Sequence, residues 1–364
     1  MKKTRILLLF ALFLFQAKVN GQYTTKKVRS VHQQYTDSLK NVEYDYIFPI
    51  LGQGAYSKGF DIPYPIGFMA NYFWSDQGIL IDNFQLGYQN ALNPDKSFPL
   101  QPFNDKDGNP IIKFGDSRNQ AWSFNVRPDI WILPFLNVYG IFGIGGSTTE
   151  VKIESIFDND KLGFTSLVDQ KINTAGVGIL GAGGVGPVWV SGDFNFTWNK
   201  PALLDKATVA IVMGLRIGKT FTFKKKPYSN IGIWIGAMRV DIQSETIGAI
   251  KLKDAFPNDF WDKKDQFVAD YNEWYENNYD DLSVKDKIKA DLMMNVVEGI
   301  DARDGSSVIE YGMDKQVAER WNMLLGAQYQ MNKRWQLRFE AGLIGDRKSF
   351  LASLNYRLLG FKKR

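Results

Sequence analysis

The sequence predicts an all-β protein, a transmembrane antiparallel β-barrel, and the clearest signal lies in residues 321–364. Three runs there alternate apolar and polar side chains, and very short turns separate them. Alternate residues of a strand point to opposite faces, and strands of about ten residues joined by short turns are typical of a barrel wall. The apolar face would meet lipid. It consists of Met323, Leu325, Ala327, Tyr329, Met331, Trp335, Leu337, Phe339, Ala341, Leu343, Phe350, Ala352, Leu354, Tyr356 and Leu358.

The N-terminus indicates which compartment the chain reaches, and therefore which membrane the apolar face contacts. Lys2, Lys3 and Arg5 precede an unbroken apolar run, Ile6–Phe15. The pattern predicts a secretory signal peptide at residues 1–21. The run is too short for a membrane helix, which needs about 20 apolar residues, whereas a closed barrel satisfies every backbone group in lipid. We therefore expect a protein exported to the outer membrane of a Gram-negative cell.

Composition narrows the partners and the chemistry. The net charge of +5 includes Lys2, Lys3, Arg5 and Lys18, so the chain without its signal carries 5 − 4 = +1. Nothing in this balance predicts nucleic-acid binding. The absence of cysteine excludes a disulfide framework and a thiolate metal site. The 14% aromatic residues and 33 glycines suit a curved membrane sheet.

Strand counting gives the size of the predicted barrel. Runs with the same alternation lie at 66–74, 84–88, 122–126, 136–147, 172–182, 188–198, 209–217 and 231–235. With the three C-terminal runs they make about eleven strands, and bacterial single-chain barrels have an even number. Alternation at Val42–Phe48 supplies one more. The expected fold is a barrel of about 12 strands over residues 41–361, after a periplasmic lead-in at residues 22–40.

Connection lengths assign the two ends of the barrel, since periplasmic turns are short and extracellular loops are long. The long connections are Asn90–Arg118, Thr148–Lys171 and Ser244–Asp314. We expect them outside the cell. The short connections expected in the periplasm are Ser75–Gly78, Leu133–Phe135, Gly183–Gly186, Lys224–Tyr228 and Asn332–Arg334.

Four segments carry a family resemblance: Pro63–Gly67, Asp129–Gly140, Gly181–Gly184 and Phe194–Trp198. They resemble a family of uncharacterised, porin-like outer-membrane β-barrel proteins of Gram-negative bacteria, in which one strand ends at Leu-Pro-Phe and the next begins at once. The resemblance covers about the middle half of the chain and implies the barrel fold without any assigned activity. The chain departs from a common barrel ending, because Lys362-Lys363-Arg364 follows Phe361.

The connection at residues 244–314 differs in composition from the wall. It holds 17 acidic and 8 basic residues, a net charge of −9. Aromatic residues at helical spacing and an N-cap at Ser283 predict a helical extracellular insert. Val284, Ile288, Leu292 and Val296 form the expected apolar stripe of its second helix. Two interpretations remain open. The aromatics could pack as a cap on the rim, or they could form a binding platform with Trp261 and Trp274 on its surface.

Charged residues on the polar face of the strands are the candidate lumen-lining residues. Opposed charges at a constriction can filter solutes, or they can pair across the lumen and close it, and their near balance favours closure. The seven residues are Arg127, Asp129, Asp193, Arg216, Arg338, Glu340 and Arg357.

Catalytic, metal and cofactor signals are weak, so we predict that the chain is not an enzyme and binds no cofactor. The only histidine, His32, lies in the lead-in, too far from the outer rim to act as a base there. Asn104–Asn109 lacks the distal glutamate of a calcium loop. Gly181–Gly186 lacks the helix and lysine of a phosphate loop.

Two functions follow from these features. The first is a diffusion channel for small hydrophilic solutes. The alternative is a non-transporting barrel that acts as a scaffold, receptor or assembly partner through its insert. Expected partners are outer-membrane lipids, lipopolysaccharide and an extracellular or outer-membrane protein.

Overall fold

The structure is a computed structural model, and it describes residues 31–185, 187–204, 206–223, 225–243 and 245–363. The predicted signal peptide lies outside the described residues. Within them, every helix is too short or too polar to cross a bilayer.

The described residues form fourteen strands and five α-helices. The strands are β1 Ile66–Gln89, β2 Phe98–Pro102, β3 Ile112–Phe114, β4 Ser117–Leu133, β5 Leu136–Ile156, β6 Phe164–Val185, β7 Val188–Pro201, β8 Thr208–Phe223, β9 Lys226–Gln243, β10 Glu245–Lys251, β11 Val308–Val317, β12 Trp321–Gln330, β13 Trp335–Ile344 and β14 Lys348–Leu358. The helices are α1 Val31–Leu39, α2 Gly52–Ser57, α3 Asn258–Asp262, α4 Lys264–Asn278 and α5 Val284–Asp301.

Ten strands close into an antiparallel barrel. Neighbours around the ring are β1, β4, β5, β6, β7, β8, β9, β12, β13 and β14, and β14 pairs with β1 to complete the ring. The predicted barrel is therefore present, with ten strands instead of about twelve. The number of strands is still even, because one expected turn and one expected strand are both absent: two expected strands are joined into β1, and the expected strand at Val42–Phe48 is not part of the wall.

The first replaced feature is the expected turn at Ser75–Gly78. β1 runs through it without a break, and Ser75 and Gln77 pair with Ala121 and Asn119 of β4. Their polar side chains are buried on the inward face, where Gln77 accepts a hydrogen bond from Arg347. A polar stretch that resembles a turn is thus stabilised inside a strand by lumen contacts.

The second is the expected strand at Val42–Phe48. Only Tyr46 of this segment forms a β-bridge, to Lys362. The ring of Tyr44 is instead buried in a small core with Ala55 and Ile62. Alternation in this segment therefore reflects local packing beneath the barrel and not a wall strand.

The two faces of the wall follow the predicted alternation. Apolar outward side chains are exposed, as lipid contact requires, whereas their inward neighbours are buried or polar. Exposed outward residues include Phe68, Tyr72, Trp122, Phe124, Phe142, Ile144, Val177, Phe194, Leu215, Ile235, Leu325, Phe339 and Phe350. The connections β4–β5, β6–β7, β8–β9 and β12–β13 all lie at one end of the barrel, hereafter the short-turn end.

The opposite end carries a folded cap, which consists of residues 79–116, 151–168 and 245–317. β11 leaves the insert, pairs with the upper part of β1 and pairs with β10 on its other edge. Side chains from all three segments share one hydrophobic core, which also includes Leu204 of the β7–β8 connection. The cap therefore extends across the ring from β1 to the far side.

An N-terminal segment, residues 31–65, crosses the short-turn end. The backbone of Ile50 bonds to Ile132 at 2.8 Å, and that of Ile47 bonds to Phe361 at 2.8 Å. The Tyr35 ring lies 4.7 Å from that of Tyr228. These contacts fall on opposing parts of the ring, so the segment passes over the opening.

Candidate functional site in the barrel lumen and the cap

The seven candidate lumen residues lie on the inward face of the wall. Arg216 illustrates the placement, because it is 6% exposed while its neighbours Leu215 and Ile217 on the outward face are 58% and 46% exposed. Asp129, Glu340 and Arg357 are also buried. The structure divides the seven between two clusters, together with one residue that makes no ion pair within the described chain.

The larger cluster centres on Arg216 of β8. Its Nε and Nη2 donate to the Glu340 carboxylate of β13 at 2.6 and 2.9 Å, and its Nη1 donates to Asp193 of β7. Glu340 also accepts bonds from Arg338 Nη2 at 3.0 Å and from Trp234 Nε1 at 2.9 Å. We call these five side chains the Arg216 network. It joins four strands of the wall, β7, β8, β9 and β13, inside the barrel.

Glycines on the inward face make room for this network. A Cβ at Gly326 would overlap the Trp234 ring, and a Cβ at Gly214 would overlap the guanidinium of Arg216. The Trp234 ring can therefore lie against the adjacent strand β12, and the Arg216 guanidinium can lie against its own strand. These two glycines are thus a packing requirement of the Arg216 network.

Uncharged groups extend the network around the ring. Asn195 donates to Asp193 at 2.9 Å and accepts a bond from the Tyr139 hydroxyl at 2.7 Å. The guanidinium of Arg127 lies 5.6 Å from the centre of the Tyr139 ring, and its Nε donates to Asn125 at 3.2 Å. Arg127 makes no ion pair with any carboxylate that the structure describes.

The smaller cluster lies nearer the short-turn end. Arg357 of β14 donates to Asp129 of β4 at 2.5 Å across β1, where Gly67 leaves the space that the two side chains occupy. Asn137 donates to the same carboxylate oxygen at 2.7 Å. In both clusters, inward charges of opposite sign are paired with each other by charge-assisted hydrogen bonds.

Sequence reasoning missed two inward cations, Arg347 and Lys315. Arg347 immediately precedes β14 and is 2% exposed. Lys315 belongs to β11, one residue beyond the segment 244–314 that was assigned to the insert. Neither lies in a recognised alternating run, so no signal in the sequence marked them as lumen residues.

The aromatic residues of the cap are packed against each other. Phe267 and Tyr271 of α4 are buried, and the Tyr271 hydroxyl donates to the backbone of Ala290 at 2.8 Å. Trp274 is also buried and stacks on Phe157 with ring centroids 4.4 Å apart. This overturns the expectation that Trp274 is exposed, because Phe157 reaches it from the distant β5–β6 connection.

Trp261, the second expected surface residue, is half-buried. Its ring packs edge-on against Phe260, and its Nε1 donates to the backbone of Lys253 at 3.2 Å. The two tryptophans therefore do not form a shared exposed platform. The packed-cap interpretation agrees with this geometry.

The second helix of the insert begins where the sequence indicated. The Ser283 hydroxyl caps α5 by accepting from the Asp286 backbone. Its buried face differs from the expected stripe, because Val284 and Ile288 are exposed. The buried residues are Lys289, Ala290, Met293, Val296, Val297, Gly299 and Ile300. Gly299 lies against the Tyr88 hydroxyl, so α5 packs directly on β1.

The polar turn at Asn104–Asn109 is held by its own hydrogen bonds. Asp105 accepts from the backbones of Asp107 and Asn109 at 2.9 and 2.8 Å. Hydrogen bonds, above all the one from the Asn109 side chain, hold the pKa of Asp105 below its ordinary value, although desolvation acts in the opposite direction. The backbone of His32 lies in α1, beyond the short-turn end.

Comparison with known proteins gives distant structural similarities only. No family model and no curated protein matches the chain. The β domain of the Bordetella autotransporter BrkA is 9% identical, with a TM-score of 0.34, and the match covers 81% of this chain and 100% of that one. The translocator domain of autotransporter NalP from Neisseria meningitidis is 9% identical, with a TM-score of 0.31 and coverages of 84% and 92%. A Pseudomonas aeruginosa FadL homologue is 8% identical, with a TM-score of 0.24 and coverages of 83% and 92%. These values are low, and the barrel architecture rests on the strand pairing of the chain itself.

Proposed function

We propose that this chain is an outer-membrane β-barrel that holds an acidic cap at the cell surface and is closed to diffusion. The observation that carries the proposal is the Arg216 network, which connects β7, β8 and β13 through buried charge-assisted hydrogen bonds. The cap at one end and residues 31–65 at the other add to the closure. In this proposal the barrel anchors the protein in the membrane, and the cap is the part that contacts a partner.

A location in the outer membrane is supported by the wall. Its outward apolar side chains are exposed, and charged groups lie above them towards the cap. Arg118 binds Asp76 at 2.7 Å and Asp346 at 3.3 Å, and Arg320 binds Asp241 at 3.3 Å. Such a charged rim suits the phosphate-bearing headgroups of lipopolysaccharide. The signal peptide that the sequence predicts at residues 1–21 would supply the export that this location requires.

The cap supports a scaffold or receptor function through its charge. The exposed side of α4 carries Asp265, Glu273 and Glu276, and residues 244–314 have a net charge of −9. A partner with a cationic surface would be complementary to it. Diffusion of solutes, by contrast, requires the charges of the Arg216 network to separate.

Single-channel recording in a planar bilayer tests the proposal. The full chain, folded in detergent and checked by heat-modifiable migration on a gel, should give no stepwise conductance. A general porin inserted under the same conditions serves as the positive control. Reproducible conductance steps from the folded wild-type chain would refute closure and favour the diffusion channel.

A further inference from the structure

The interior charge of the barrel is not balanced. The seven residues predicted from the sequence contribute four arginines and three carboxylates. Arg347 and Lys315 raise the sum for the described interior to six cations and three anions, or +3. Since the carboxylates are engaged near Arg216 and Arg357, the excess cations are Arg127, Arg347 and Lys315, and the last two lie nearer the cap.

Arg347 is fixed on the inward face of the upper wall. Its Nε donates to Gln77, its Nη2 donates to the backbone of Glu319 at 3.3 Å, and its backbone oxygen accepts from Asn322. Its Nη1 is buried without a hydrogen-bond partner among the described residues. The side chain is therefore held in place by neutral groups, and its Nη1 nitrogen is left without a partner among the described residues.

Lys315 faces the same space from β11. It pairs with Ile81 of β1, and Val317 pairs with Ile79. Ile79 and Val317 are buried, whereas Leu80 between the two β1 positions is exposed, so Lys315 shares the inward face. Its ammonium has no hydrogen bond or ion pair within the described chain. Burial lowers the pKa of Lys315 to about 8.

We propose that the upper lumen, between the Arg216 network and the cap, binds a small oxyanion through Arg347 and Lys315. Gln77 and Ile81 stand on one face of β1, roughly 13 Å apart at 3.3 Å per residue, and Arg347 and Lys315 lie beside these two positions. Guanidinium and ammonium groups are the usual ligands of phosphate and carboxylate. An anion there compensates two charges that are otherwise costly to bury.

Isothermal titration of the purified full chain with inorganic phosphate tests the site. Wild type should bind with a saturable isotherm. Lys315→Met and Arg347→Gln should each weaken binding at least about tenfold, the effect of losing one charge-assisted contact. Lys348→Met is the matched control, because it removes the same charge from the neighbouring exposed position, which pairs with Asp76 of β1. It should leave the affinity unchanged.

Thermal unfolding gives a second readout that does not depend on Arg347. Lys315→Met should unfold at a higher temperature than wild type without phosphate, because an unpaired ammonium is replaced by an apolar group. Phosphate should raise the unfolding temperature of wild type and not that of the variant. Absence of phosphate binding in wild type, equal binding in Lys315→Met, or equal loss in Lys348→Met would each overturn the proposal. Conductance tests barrel closure separately, since a closed barrel can hold the anion or lack it.

Discussion

Removing the Glu340 carboxylate should destabilise the barrel more than any change to an exposed ion pair. Glu340 accepts four hydrogen bonds, two from Arg216 and one each from Arg338 and Trp234. Glu340→Ala leaves these donors inside the lumen without their acceptor. Breaking a buried pair costs about 3–5 kcal/mol, and we expect about 3, since Asp193 still compensates Arg216.

Urea unfolding in lipid vesicles, followed by tryptophan fluorescence, measures this free energy. The matched control is Asp241→Ala, which removes the carboxylate of the Arg239–Asp241 pair on the outward rim, with side chains 33% and 20% exposed. Exposed pairs contribute roughly 0–1 kcal/mol. A double replacement, Arg216→Met with Glu340→Met, should cost less than Glu340→Ala because it removes both charges.

The reasoning fails if Glu340→Ala and Asp241→Ala lower the free energy of unfolding equally. It also fails if the double replacement costs more than the single one. Either result would mean that the buried charges contribute through side-chain volume alone.

Three further predictions concern the cap and the ends of the barrel. Since the chain has no cysteine, Glu273→Cys should react with a membrane-impermeant maleimide on intact cells, and Lys58→Cys only after permeabilisation; the opposite pattern would reverse the orientation. Trp274→Ala should destabilise the cap by about 3 kcal/mol and speed its limited proteolysis, whereas Trp261→Ala should have a smaller effect; equal effects would contradict the packing described here. Desolvation by itself would raise the pKa of Asp304, but hydrogen bonds from Ser306 and Ser307 outweigh it and hold this pKa below the unfolded value of 3.8. The resulting stabilisation should be present above that value and lost as the pH falls through the folded pKa, and Asp304→Asn should remove this dependence in acid unfolding of the cap.

The wall was predictable because its signal is local. Alternation assigns each side chain to a face without knowledge of its partners, so it also identified the inward charges. The signal for the start of α5 was equally local, because the N-terminal capping hydrogen bond of this helix joins Ser283 and Asp286. In these places, neighbouring residues alone determine the structure.

The sequence failed where distant contacts decide. Ser75 and Gln77 resemble turn residues until Arg347 is placed beside them. Trp274 is a candidate surface residue of the insert until Phe157 is found stacked on it. Each error concerns a partner far away in the chain, whose position the periodicity of a single segment does not encode.

The path of β9, β10, β11 and β1 divides the protein in a way that its wall does not suggest. β10 resumes directly after the end of β9, and β11 returns to pair with β1. These four strands therefore connect β9 to β1, the two strands that flank β12, β13 and β14 in the barrel. The chain thus consists of two parts. The first part contains β1 and β4 to β11, and the second is the three-stranded segment 321–358, which completes the barrel by pairing with β9 on one side and with β1 on the other. A break between β11 and β12 would separate the two pieces while leaving each with its complementary edges.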